Sequence, residues 1–145
     1  MYIGKVSEPT EELFKASQHL IPQIGIHKIP PTREELTTLL KTQGATLLIA
    51  REPDENGAII GVLSLTIYRV PTGLRSIVED VVVDERMRRR GVGEALIRYA
   101  IDLAREAGAN GVSLTSNPQR EAANQLYQAM GFELRNTNPY FYRLK

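Results

Sequence analysis

Cysteine is absent from all 145 residues. That excludes disulfide frameworks, cysteine-ligated zinc, iron–sulfur clusters and thiol nucleophiles. Histidine is scarce: His19 and His27 are the only two, so no metal centre is expected and neither histidine is assigned a role. Net charge is nearly absent as well. Lys plus Arg is 18 against 17 for Asp plus Glu, a formal +1, which gives no whole-chain attraction to nucleic acid or anionic lipid. No apolar run approaches the roughly 20 residues of a membrane span. The opening Met1-Tyr2-Ile3-Gly4-Lys5 lacks the long apolar core of a signal peptide. The expectation is a soluble, cytoplasmic protein that needs neither membrane nor nucleic acid.

What is present is ordinary for a globular chain: 42% hydrophobic and 24% charged residues. The length suits one domain covering 1–145, with a core large enough to need no staple.

The order of elements can be read from periodicity and punctuation. Tyr2–Val6 is a short strand. Ser7–Leu20 carries Leu13, Phe14, Ser17 and Leu20 at helical spacing. Pro22 and Pro30-Pro31 interrupt the chain, leaving Ile21–Ile29 as a loop or lid. Thr32-Arg33-Glu34-Glu35 has the form of a capping box, and Gly44 suits the end of the helix it opens.

Thr46–Ala50, Ala58–Tyr68 and Ser76–Val83 read as three strands joined by short turns, an antiparallel meander with a bulge marked by Gly61. A long amphipathic helix, Gly91–Ala107, then leads through Gly108 to a strand at Gly111–Thr115, which implies a parallel crossover. Asn117 and Pro118 read as the cap and first position of a last helix, with Phe132–Arg135 and Tyr140–Leu144 as final strands. The expected fold is α/β, a mixed, mostly antiparallel sheet of about six or seven strands flanked by about four helices.

The segment richest in chemistry is Val81-Val82-Val83-Asp84-Glu85-Arg86-Met87-Arg88-Arg89-Arg90-Gly91-Val92-Gly93. A strand runs into a basic turn, two glycines and a helix. Glycines permit close backbone approach, and the free N–H groups and dipole of a helix start favour an anion such as a pyrophosphate. A plain turn with a solvated charge run is the competing reading. A dinucleotide fingerprint fails because Leu96 stands at its third small position, and the Gly-Lys-Ser/Thr of an ATP loop is missing. An arginine cluster in a chain so nearly neutral is thin support for nucleic-acid binding.

Arg88-Arg89-Arg90-Gly91-Val92-Gly93 resembles the Gln/Arg-x-x-Gly-x-Gly/Ala signature of the GNAT superfamily of acyl-CoA-dependent N-acetyltransferases. Ile77–Asp84 before it looks like that family's fourth strand. Asn117–Phe132, ending Leu126-Tyr127-Gln128-Ala129-Met130-Gly131-Phe132, looks like its second signature.

The resemblance implies a sheet splayed between strands 4 and 5, with acetyl-CoA as donor and a primary amine as acceptor. Transfer would go by direct attack in a ternary complex, without metal. The pyrophosphate would lie on the backbone of Arg88, Arg89, Arg90, Gly91, Val92, Gly93 and Glu94. The pantetheine arm would pair with Val81, Val82 and Val83 as an added strand does, and an amide near Val82 would polarise the thioester carbonyl. Asn117 and Asn124 would contact the cofactor.

Tyr127 would protonate the departing thiolate, although its place on the buried stripe of its helix also suits a core aromatic. Glu79 and Asp80, adjacent in a strand and therefore expected on opposite faces, would be base and substrate anchor. A homodimer is frequent in the family. An acyl-CoA-binding sensor or partner-binding module without turnover is the alternative reading. The acceptor itself cannot be read.

Overall fold

The computed structural model describes residues 1–145. It divides into two compact units, Met1–Leu114 and Thr115–Lys145. The first carries a five-stranded sheet in sequential order: β1 (Tyr2–Lys5), β2 (Ala45–Glu52), β3 (Ala58–Val70), β4 (Gly73–Val83) and β5 (Val112–Ser113). The first four strands are antiparallel and β5 is parallel to β4. The sheet is therefore mixed, as expected, with fewer strands than the six or seven anticipated. The expected strands at Phe132–Arg135 and Tyr140–Leu144 do not form; both segments are irregular.

Alternation along the strands gives the sheet two apolar faces. One carries Leu47, Ile49, Val62 and Val82. It buries Leu13 and Leu20 of α1 (Glu11–Leu20) and Leu36 of α2 (Arg33–Lys41). The other takes α3 (Val92–Ala107), whose Val92, Leu96, Ile97, Ala100 and Ala104 are buried. A Cβ built on Gly61 of β3 would lie 3.2 Å from Leu96 Cδ1, so the helix sits close against the strand there.

Local signals explain the helix ends. Thr32 and Glu35 form the expected reciprocal capping box of α2. Helix α1 starts later than Ser7, because the Thr10 side chain accepts from Leu13 N–H and caps it at Glu11. Gly108, left-handed at φ +86°, ends α3 as expected. Helix α2 ends at Thr42 instead of Gly44. Gly44 (φ +86°) turns the chain into β2, where any Cβ would strike the carbonyl of Ile67. The expected bulge near Gly61 is present: Ala50 pairs with Gly61 and Arg51 with Ile59, leaving Ile60 as the extra residue.

The second unit holds α4 (Glu121–Ala129). Asn117 does not cap it. Its side-chain oxygen instead accepts from Gln119 N–H in a tight turn, and the helix begins after Arg120. No helix is long and apolar enough to cross a membrane.

Candidate functional site

The β4–α3 connection gathers most of the residues singled out from the sequence. A second register shift falls in β4 itself. Ser64 pairs with Glu79 and Val62 with Val82, so Asp80 and Val81 together oppose Leu63. This is a bulge on β4, and Asp80 takes a left-handed conformation (φ +52°) to make it. The simple alternation that puts Glu79 and Asp80 on opposite faces therefore fails at this point. Glu79, opposite Ser64, belongs to the face of α1 and α2, whereas Asp80 lies within the bulge. Both are exposed, Val82 is buried, and Val81 and Val83 are half-buried.

On its other edge β4 meets β5 only at Ser76 and Ile77. The Ser76 hydroxyl donates to the Gly111 carbonyl at 2.7 Å, which pins the start of β5. From Val78 to Val83, β4 continues with no β5 partner. β5 ends at Ser113, so strand pairing on this edge stops where the GNAT resemblance implies a splay between strands 4 and 5.

The turn beyond β4 ends in left-handed backbone and free helix N–H groups. Arg89 (φ +64°) and Gly91 (φ +79°) are both left-handed, with Arg90 between them outside that region. Such alternation turns N–H groups toward a common point. The first bond of α3 runs from Ala95 N–H to the Gly91 carbonyl. The N–H groups of Val92, Gly93 and Glu94 therefore have no acceptor in the helix.

A Cβ at Gly91 would meet nothing within 4 Å, and one at Gly93 only Val83 Cγ2 at 3.8 Å. Protein packing thus leaves the space over both glycines open. A pyrophosphate fits these donors, the open space and the dipole of a 16-residue helix.

The arginines divide in role. Arg88 Nε donates to the Val83 carbonyl at 3.2 Å, tying the turn to the strand end, while Arg89 and Arg90 are exposed. Glu94 pairs with Arg98 at 3.5 Å, one turn along the helix.

A polar cluster behind the turn has no signature in the sequence. Asp84 is 3% exposed. Its carboxylate accepts from Arg86 N–H (3.2 Å) and Arg86 Nη2 (3.1 Å), and lies 3.0 Å from His19 Nε2 of α1. Arg86 above all, then its backbone N–H and His19, hold the Asp84 pKa down at about 2 against the opposing effect of burial. The Gln23 side-chain oxygen accepts from Glu85 N–H at 2.9 Å. His19, given no role from the sequence, thus joins Arg86 on the Asp84 carboxylate.

The remaining predicted residues lie in the second unit. Tyr127 is half-buried on α4, edge-on to Phe132 with ring centroids 6.0 Å apart. Asn124 Nδ2 donates to the carbonyls of Asn117 (3.0 Å) and Arg120 (2.8 Å), so this amide secures the turn before α4.

Residues 11–132 match the acetyltransferase (GNAT) family. N-acetyltransferase family 8 member 2 of Rattus norvegicus is 29% identical over 90 residues, 61% of this chain and 39% of that protein. The chain spans about two fifths of the length of the curated relatives it matches. Among solved structures, an aminoglycoside acetyltransferase from an uncultured soil metagenomic sample superposes with a TM-score of 0.85 at 19% identity, over 99% of this chain and 96% of that one. AAC(6')-Iy in complex with the bisubstrate analog CoA-S-monomethyl-acetylneamine gives 0.76 at 20% identity, over 99% and 97%.

Proposed function

Because the chain belongs to the acetyltransferase (GNAT) family, we propose that it moves the acetyl group of acetyl-CoA to a primary amine by direct attack within a ternary complex. The observation that carries this reading is the set of backbone groups offered by the edge of β4 that β5 does not reach, the left-handed turns at Arg89 and Gly91, and the free N–H groups of Val92–Glu94. A diphosphate followed by an amide-bearing arm matches that set. The anion sits on the helix start and the arm adds to the strand edge.

In this reading the donor contributes an activated acyl group, and the chain binds, orients and moves protons. A backbone N–H near Val82 donates to the thioester carbonyl oxygen as it gains negative charge. The amine nitrogen must first lose a proton, since an alkylammonium has an ordinary pKa of about 10.4. Glu79, exposed on the face of α1 and α2, takes it directly or through water, and Asp80 anchors the ammonium beforehand. As the carbon–nitrogen bond forms and the carbon–sulfur bond breaks, the Tyr127 hydroxyl donates its proton to the thiolate. With no cysteine in the chain, no thiol-bound acyl intermediate forms.

A thiol-release assay with acetyl-CoA and a panel of amines tests the proposal. CoA should appear in step with acetylated amine. Tight CoA binding without release for any amine would make the chain a binding module.

A further inference from the structure

We propose that His19 and Gln23 are positioning residues that hold the donor loop in its anion-binding shape. This inference rests on the acetyl-CoA reading above. The loop between β4 and α3 has few packing contacts of its own, and Glu85, Arg86, Arg88, Arg89 and Arg90 are all exposed. Packing alone therefore leaves a wide choice of backbone conformations, yet two residues in this stretch are left-handed, one of them the non-glycine Arg89. Something must restrict the entry to the turn.

Three bonds do so. Asp84 N–H donates to the carbonyl of the bulged Ile60 at 2.8 Å, fixing the residue that follows β4. His19, in the final turn of α1, reaches the buried Asp84 carboxylate at 3.0 Å. Gln23, in the 3-10 turn Ile21–Gln23, accepts the next N–H of the loop, that of Glu85, at 2.9 Å. The Gln23 amide nitrogen donates back to the His19 backbone carbonyl at 3.3 Å and lies 3.3 Å from His19 Nε2, which holds the Gln23 amide against the end of α1.

Glu85 N–H is the only one of these loop groups whose acceptor is a side chain of a separate element, 62 residues away. The clamp therefore comes from the segment opening Ile21–Ile29, which the sequence marks as a loop or lid. Movement there is transmitted to the turn that presents Gly91 and Gly93.

The test separates an acceptor at position 23 from bulk. Gln23→Met keeps the length and loses the acceptor; Gln23→Glu keeps an acceptor for Glu85 N–H. Titration calorimetry with CoA should show Gln23→Met weaker by about threefold to tenfold, the range of one hydrogen bond, with Gln23→Glu close to wild type. In the ligand-free protein, amide exchange across 85–90 should quicken in Gln23→Met and not in Gln23→Glu. His19→Leu should behave like Gln23→Met. Melting temperatures, read alongside, should stay near wild type in all three.

Equal exchange and equal CoA affinity in all variants would overturn the proposal, as would equal loss in Gln23→Met and Gln23→Glu. The exchange difference among the variants, found together with no CoA binding by the wild-type protein, would instead remove the donor reading and leave the clamp as a structural feature.

Discussion

Substituting Gly93 separates what the fold needs from what a ligand needs. Gly93 is the second residue of α3 and its φ is not left-handed. A methyl group there would touch only Val83 Cγ2, at an ordinary 3.8 Å. Alanine is favoured over glycine in helices by up to about 1 kcal/mol, so Gly93→Ala should leave stability unchanged or raise it, by at most a few degrees in melting temperature.

The signature that Arg88–Gly93 resembles admits Ala at the position of Gly93, so a methyl is compatible with a pyrophosphate on the N–H groups of Val92, Gly93 and Glu94, but a carboxylate is not. Gly93→Ala should therefore keep CoA affinity near wild type, whereas Gly93→Asp should lose at least tenfold, about 1.4 kcal/mol, through charge repulsion and lost space. Gly91→Ala gives the contrast. The space there is equally open, but φ +79° disfavours any L side chain, so stability should drop by about 1–2 kcal/mol. Thermal melts and calorimetry on the same samples check both signs. A folded Gly93→Asp protein that binds CoA as wild type does would refute the placement of the anion.

Three further outcomes are expected. Tyr127→Phe keeps the edge-on contact with Phe132 and should preserve CoA affinity while lowering the single-turnover rate by roughly 10²-fold; an unchanged rate would return Tyr127 to a packing role. Glu79→Gln should slow turnover most at neutral pH and recover toward alkaline pH, where more amine is already neutral; the same profile in Asp80→Asn instead would exchange their roles. Asp84, with a folded pKa of about 2 against an ordinary 3.8, contributes stability that is present above pH about 4 and lost as pH falls toward 2. Urea unfolding of Asp84→Asn should accordingly show a deficit of about 1–2 kcal/mol at pH 7 that fades in that acid range; a pH-independent deficit would contradict the ion-pair account.

Features set by neighbouring residues were legible in the sequence. The Thr32–Glu35 capping box, the end of α3 at Gly108 and the three-stranded meander all depend on patterns within a few positions.

Features set by partners distant in the chain were not legible. The bulge at Asp80–Val81 is a matter of register against Leu63 and left no mark in an apolar run that looks regular. The His19–Asp84 contact joins residues 65 apart, and no spacing rule connects them. Asn117-Pro118 carries the residues of a helix start, but the Asn117 side chain closes a turn onto Gln119 first and delays α4. Phe132–Arg135 and Tyr140–Leu144 have strand-like composition, yet a strand needs an edge to pair with, which composition does not supply.

The claim on which the rest depends is that the backbone of β4 and of the turn after it forms the donor site. Amide NMR of the labelled protein titrated with CoA tests it most directly. The account predicts that the largest shifts fall on Val81–Val83 and on Arg88–Glu94, with Gly91 and Gly93 among them. Shifts concentrated elsewhere, such as on Lys5, Thr10 and Arg51 around the ~260 Å³ cavity between β1, β2 and α1, with those two segments unmoved, would contradict it.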